Sequence, residues 1–309
     1  MKVKFWGVRG SIPVPGEKTT EIGGNTSCIE VLNEDKELLI IDAGTGIKNL
    51  GDHIVSQYMK EGINGCHILL SHTHWDHIQG FPFFTPSFIK DFSISVYGPC
   101  RRNETLQDIM GGQMNYPYYP IKLGDLKAKI EFLELSSSRK FRIGSYSITP
   151  QLLNHPIKTY GYKIECDGKI MTTLFDHEIY RNVIMEDNPF MMDELKLTSD
   201  SILHASRKSR ELNEKIFSFI HGSDLVVCDA HFTEKEYYNG KQGWGHGPVE
   251  FIIRDSKPGF TKNLVLFHHA PYKSDEDVRI MYDYLKDFAE ISHQELNLII
   301  GREGLELNL

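Results

Sequence analysis

The stretch Ser71-His72-Thr73-His74-Trp75-Asp76-His77 follows directly on the apolar run Ile68-Leu69-Leu70, so three imidazoles and a carboxylate crowd the end of a predicted strand. An isolated histidine is ordinarily a solvated or hydrogen-bonded side chain. Four ligand-type groups this close together need a cation to organise them, since imidazole and carboxylate are common donors to divalent metals. A fold that carries this segment must present a strand end to a cleft and bring further donors there from elsewhere in the chain.

The spacing divides the segment. His72 and His74 are two positions apart, so on an extended backbone they point the same way and can share one ion, while Asp76 and His77 are free to turn to a second. Three more ligand-type residues stand where apolar runs stop: His155 after Leu152-Leu153-Asn154, Asp176 after Leu174-Phe175, and His268 after Val265-Leu266-Phe267. Strand ends hold ligands well because the sheet fixes the backbone while the tip faces open space. Taken singly, each of these three reads more readily as a structural polar residue than as a ligand.

Around these residues the chain alternates strand-like and helical stretches. Strands are predicted at Lys2–Trp6, Cys28–Val31, Leu38–Ile41, Ile68–Leu70 and Phe92–Val96, with a helix over Ile47–Met59. A β-rich middle follows at Ile130–Leu135, Tyr146–Leu153, Gly161–Glu165 and Lys169–Leu174, the last two joined by the hairpin signal Asp167-Gly168. Then come a charged helix over Ala205–Phe219, strands at Asp224–Cys228 and Leu264–Phe267, a helix capped by Ser274 with three acids in its first turn, and a strand at Leu298–Ile300. This order predicts an α/β (α+β) fold: two sheets face to face, with helices outside, in one domain spanning 1–309. The segment at about 177–222, Met-rich near Pro189, reads as an insertion that packs outside the fold, covers the cleft or meets a second copy in a homodimer.

Composition narrows the function. At 40% hydrophobic and 25% charged residues the chain is an ordinary soluble one. No window approaches the roughly 18 consecutive apolar residues of a membrane span, and no export signal precedes the first strand. Five cysteines (Cys28, Cys66, Cys100, Cys166, Cys228) without a CxxC pair fit reduced thiols of a cytoplasmic protein. The net charge of −8 argues against a broad basic surface for long nucleic acid and favours a small-molecule substrate.

The segment His72-x-His74-x-Asp76-His77 resembles the signature of the metallo-β-lactamase fold hydrolases, and the resemblance covers nearly the whole chain. It implies a four-layer αββα sandwich with two divalent ions, zinc or alternatively manganese or iron, in a cleft at one edge. His72, His74 and His155 would hold the first ion, Asp76, His77 and His268 the second, and Asp176 would bridge them. The neighbouring His269 is the alternative to His268, which is preferred because it ends the apolar run. Asp42, in Asp42-Ala43-Gly44-Thr45-Gly46, would orient a ligand. The segments Trp6-Gly7-Val8-Arg9-Gly10-Ser11 and Gly23-Gly24-Asn25-Thr26-Ser27-Cys28 are similar to the phosphodiesterase and tRNase Z-like branch. So are Val226-Val227-Cys228-Asp229-Ala230-His231-Phe232 and Gly245-His246-Gly247, which make Asp229 and His246 a carboxylate-imidazole pair near the metals.

The expected chemistry is phosphodiester hydrolysis. Asp76 would orient the attacking water or take its proton, and His246, its pKa raised by Asp229, would protonate the leaving group. Gly23-Gly24 would let the backbone approach the phosphate, with Asn25, Thr26 and Ser27 as hydrogen-bond donors to it. His177 and His231 are expected to be structural, and Tyr116-Pro117-Tyr118-Tyr119-Pro120 either stacks on a base or packs between strands. Cyclic nucleotides such as cyclic AMP or GMP are the expected substrates. The alternatives are a tRNase Z-like RNA-processing endonuclease, disfavoured by the lack of a basic, Gly-rich arm, and a thioester or lactam hydrolase on the same ligand set.

Overall fold

The computed structural model describes residues 1–99, 103–182, 199–292 and 295–309. Two seven-stranded sheets make its centre. The first consists of β1 (Lys2–Gly7), β2 (Cys28–Leu32), β3 (Leu38–Ile41), β4 (Gly65–Leu69), β5 (Ser93–Pro99) and β6 (Lys129–Leu135), with β14 (Glu306–Asn308) added on the outer side of β1. The second runs in the order β13-β12-β11-β10-β9-β8-β7, from β7 (Phe141–Ile143), β8 (Tyr146–Leu152), β9 (Tyr160–Cys166), β10 (Lys169–Leu174), β11 (Ser223–Asp229), β12 (Thr261–Phe267) and β13 (Asn297–Ile300).

Each sheet is half antiparallel and half parallel. Strands β3 to β6 run parallel, as do β10 to β13. The central strand β3 is apolar throughout because both its faces are covered: all four of its residues (Leu38, Leu39, Ile40, Ile41) are buried. Between the sheets lies one core, in which Val3, Phe5, Val31 and Ile41 meet Tyr162, Phe175, Val227 and Phe267. A second core sits under α1 (Gly46–Ser56), whose Ile47, Leu50 and Ile54 form one stripe, and under α3 (Leu106–Gly112). A third joins the other sheet to α4 (Ser199–Ile220), α6 (Val249–Asp255) and α7 (Asp275–Ile291). The layers are therefore helix, sheet, sheet, helix. Short α2 (Trp75–Ile78) and α5 (Glu234–Tyr238) belong to the loops.

Local chemistry sets several boundaries. In α7, Ser274 and Asp277 form a reciprocal capping box, and Val278, Met281, Leu285 and Ala289 make the stripe that faces the sheet. The hairpin signal Asp167-Gly168 joins β9 to β10 with both residues at positive φ (52° and 69°), the twist a two-residue turn requires. The first helix is shorter than the sequence predicts: it ends at Ser56, and Tyr58–Glu61 form a 3-10 turn closed by Gly62 at φ 90°. The helix predicted from Ala205 begins earlier, at Ser199, and its Ile216, Phe219 and Ile220 are buried against the second sheet. It supplies the crossover that parallel β10 and β11 need, so this half of the expected insertion is a layer of the fold. The Met-rich stretch near Pro189 and Cys100 lie outside the described residues. Cys28, Cys66, Cys166 and Cys228 are free and buried. No helix among the described residues is long and apolar enough to cross a membrane.

Candidate metal centre

The parallel halves of the two sheets end at the same edge of the sandwich, and the site is built there. β3 runs into Asp42, β4 into Ser71 and His72, β8 into His155, β10 into Asp176, β11 ends on Asp229, and β12 runs into His268. Asp42, Asp176 and His268 all have left-handed backbones, with φ of 62°, 46° and 56°. Such a conformation costs a non-glycine residue on the order of 1 kcal/mol, least for Asp, and it turns the chain sharply after its last paired residue.

Two groups of donors result. His74 Nδ1 lies 3.0 Å from His72 Nε2 and 3.0 Å from His155 Nε2, and Asp176 Oδ2 lies 3.6 and 3.7 Å from the same two nitrogens. In the other group, His268 Nε2 is 3.1 Å from Asp76 Oδ2 and 3.2 Å from His77 Nε2, and His77 Nε2 is 3.3 Å from Asp76 Oδ2. Asp176 Oδ1 is 3.4 Å from His77 Nε2 and 3.3 Å from His268 Nε2. One carboxylate thus sends one oxygen to each group.

These spacings fit ions. Four donors about 2.0–2.1 Å from a tetrahedral zinc stand roughly 3.3–3.4 Å from one another. Asp176 Oδ1 is buried with no hydrogen-bond partner, an arrangement that is costly unless a cation lies in front of it. Electrostatics agree. Burial opposes charge on Asp76 and on Asp176, yet the surrounding imidazoles hold both carboxyls well below the usual range. Burial likewise opposes a proton on His77, but Asp76, Asp176 and Asp42 raise its pKa well above the ordinary value. The three carboxylates thus favour positive charge at this point of the pocket. His72 is pushed the other way, by burial and then by His77, so its ring is neutral and has a lone pair to give.

The supports around the donors are specific. Asp42 Oδ1 accepts the Ser71 N–H at 2.7 Å, and its Oδ2 accepts the Ser27 and Ser71 hydroxyls at 2.9 and 3.0 Å. That same oxygen is 2.7 Å from His77 Nδ1, which fixes the ring with Nε2 toward the cleft. His155 Nδ1 is 3.0 Å from the Gly245 carbonyl, with the same effect on its Nε2. The Ser11 N–H donates to Asp76 Oδ2 at 2.7 Å. Gly10 packs against the His268 ring, where a Cβ would stand 2.4 Å from Nδ1, so a larger residue would displace the ring. His269, the alternative donor, turns away and places Nε2 2.9 Å from the Gly301 carbonyl.

Beside the second group, Asp229 Oδ2 lies 2.6 Å from His246 Nδ1, and Asp229 Oδ1 accepts the His231 N–H at 2.8 Å. Although burial opposes it, Asp229 pushes the His246 pKa up to about 9. His231 stacks on His246, ring centroids 4.3 Å apart, and burial pulls its own pKa down to about 3, so it is a neutral spacer. Asp229, His231, His246 and His268 are also close enough to form a third donor set among the described residues. Asp229 and His246 bond each other rather than converge on a point, which suits a proton donor.

The three expected substrate contacts have partners within the fold. Thr26 and Ser27 are fully buried: Thr26 Oγ1 accepts the Thr45 N–H at 2.9 Å, and Ser27 serves Asp42. Asn25 is held by Glu303, through its backbone N–H at 2.7 Å and its amide at 3.0 Å. The segment beside Gly23-Gly24 therefore stitches the fold. His177 is structural: it accepts the Asn154 N–H at 3.1 Å, and burial lowers its pKa to about 3. Of the Tyr-Pro segment, Tyr119 packs on Phe83 and bonds the Pro82 carbonyl, while Tyr116 and Tyr118 are exposed. Sequence reasoning missed Ser71, Glu178 and the Gly245 carbonyl. Ser71 adjoins the histidine motif and could have been flagged by that position. A backbone carbonyl leaves no trace in a sequence.

No family model matches the chain. It is similar to ribonuclease Z of Staphylococcus haemolyticus (strain JCSC1435), 22% identical over 96% of this chain and 97% of that protein, and to ribonuclease Z of Thermoplasma acidophilum, 21% identical over 94% and 92%. Among solved structures it superposes on the metallo-β-lactamase fold protein YhfI from Bacillus subtilis with a TM-score of 0.63 at 16% identity, covering 99% of this chain and 98% of that one. Human tRNase Z, short form, gives 0.60 at 16% identity over 100% and 99%, and a diphosphatase from the PhnP family gives 0.59 at 14% over 100% and 97%. With its two mixed sheets, their covering helices and donors gathered at one edge, the chain has the metallo-β-lactamase fold.

Proposed function

We propose that this protein is a metal-dependent hydrolase of phosphodiester bonds, and that its substrate is RNA. The observation that carries the chemistry is the division of Asp176, one oxygen in each of two donor groups. His72, His74 and His155 would hold one divalent ion and Asp76, His77 and His268 the other, with Asp176 shared; zinc suits a set this rich in imidazole, and manganese or iron suits its carboxylates. When bound, such ions polarise phosphoryl oxygens and lower the pKa of water.

The remaining work belongs to the chain. Asp42 and the Gly245 carbonyl keep His77 and His155 in the orientation that offers Nε2. Asp76 would orient the attacking water. His246, protonated and held through Nδ1 by Asp229, offers its other ring nitrogen as proton donor to the departing alkoxide. Its raised pKa favours the acid form at neutral pH, and cations in the cleft would draw that value down toward the range where an acid gives up its proton readily.

The relatives named ribonuclease Z, similar over nearly their full length, favour RNA over the cyclic nucleotides that the sequence suggested, and make a long nucleic acid a substrate to expect. A net charge of −8 then implies that the strand is gripped locally at the cleft rather than along a broad surface. The test is a side-by-side assay of the protein loaded with zinc or manganese on precursor tRNA, cyclic AMP, cyclic GMP, a bis-aryl phosphate and a chromogenic lactam. Cleavage of precursor tRNA, abolished by chelator, is the expected result. Turnover of cyclic nucleotides alone would reassign the substrate, and turnover of the lactam alone would remove the phosphodiester reading.

A further inference from the structure

Glu178, two residues beyond Asp176, is a buried carboxylate with an unusual number of donors aimed at it. Its Oε1 accepts the Tyr237 hydroxyl at 2.5 Å and the Gly243 N–H at 2.8 Å, and its Oε2 accepts the Gly245 N–H at 2.9 Å. Arg181 Nη2 stands 3.6 Å away. On the other side of His246, the Gly247 N–H donates to the His177 carbonyl at 2.8 Å. The segment that follows β10 therefore grips the chain immediately before and immediately after His246.

The grip has something to resist. Gly245 has φ 86°, and a Cβ there would lie 2.4 Å from His155 Nδ1, so this turn is pressed against a metal-facing imidazole in a backbone shape that only glycine adopts without strain. A cavity of about 330 Å³, lined by His155, Glu178, Arg181, Gly243 and Gly245 among others, adjoins it. A turn released by Glu178 has room to move.

We propose that Glu178 is the positioning residue of the proton donor: with the His177 carbonyl it clamps residues 243–247 so that His246 faces the cleft. The inference rests on the reading of His246 as the acid. It predicts that Glu178→Gln, which puts an amide N–H₂ where an N–H donor now points, loosens the turn without removing a ligand.

Three measurements test it together. Amide exchange should quicken at Gly243 and Gly245, while Gly247, bonded to the His177 carbonyl, changes less. On a dinucleotide, whose leaving group is an alkoxide, kcat should fall by up to about 10²-fold, the loss that follows from misplacing a reacting group by about 1 Å. On a bis-aryl phosphate, whose leaving group needs no proton, it should stay within about 3-fold, with metal content unchanged. Glu178→Gln combined with His246→Ala should be no slower on the dinucleotide than His246→Ala alone. Tyr237→Phe, a milder cut at the same carboxylate, should show the same pattern at smaller amplitude if the Gln variant folds poorly. Equal losses on both substrates, additive losses in the double variant, or unchanged exchange at Gly243 and Gly245 would each overturn the proposal. Should His246→Ala itself show no dependence on the leaving group, the acid role fails, and with it the positioning role, while the exchange data still report whether Glu178 holds the turn.

Discussion

The sheet of the first half of the chain delivers His72, His74, Asp76 and His77 from a single loop, whereas the sheet of the second half delivers Asp176, Asp229 and His268 singly, from the ends of three adjacent strands. In the loop, nearness is covalent: the donors are together whether or not the rest of the protein folds. Across β10, β11 and β12, nearness is topological, set by parallel pairing in which Leu174, Cys228 and Leu266 stand side by side. The first arrangement gathers affinity locally. The second makes the site conditional on the sandwich, and it is this half that joins the two donor groups and adds the Asp229–His246 pair.

Breaking the join should have the largest effect. Asp176→Ala removes the carboxylate common to both groups, and activity should fall to the level of chelated protein, with elemental analysis finding fewer than two ions per chain. A variant that keeps two ions and full rate would show that the loop suffices alone. Next comes His246→Ala, expected to slow a substrate with an alkoxide leaving group by about 10²–10⁴-fold and a bis-aryl phosphate far less. The accompanying pH signature has a definite sign. A general acid works only while protonated, so the rate on the alkoxide substrate should decline as pH rises through the His246 pKa, which is about 9 before cations lower it. That alkaline limb should vanish in the Ala variant.

Smaller effects sharpen the contrast on the loop side. Asp42→Asn leaves all donors in place but loses the carboxylate that fixes His77, and metal affinity or activity should drop by about 10–100-fold. Titration calorimetry across pH would check a further sign: His77 must shed its proton to bind, so affinity should rise with pH. Least affected is Thr26→Val. It strands the half-buried Thr45 N–H and should cost about 1 kcal/mol in denaturant melts while leaving KM unchanged. A raised KM would restore Thr26 as a substrate contact.

The same contrast explains what could be read from the sequence. The loop motif was legible because its donors are consecutive, and the strand-end donors because long apolar runs stop at them. β7 and β14, three residues each, are too short to show any periodicity and owe their existence to partners already in place. Asn25, Thr26 and Ser27 look like phosphate donors by type; only the fold reveals that Glu303, Thr45 and Asp42 occupy them. Glu178 was hidden for a related reason, since its partners are mostly backbone N–H groups of a loop more than sixty residues away.

The reliance on His268 and on β14 has a bearing on biosynthesis. At roughly 5–20 residues per second, a ribosome needs about 10–40 s to travel from His77 to His268, and the strand that flanks β1 is made later still. Throughout that interval the nascent protein displays an unfinished, imidazole-rich chelator to the cell. An ion met during that interval would find an incomplete donor set, so ribosome-bound fragments should pick it up loosely and surrender it readily.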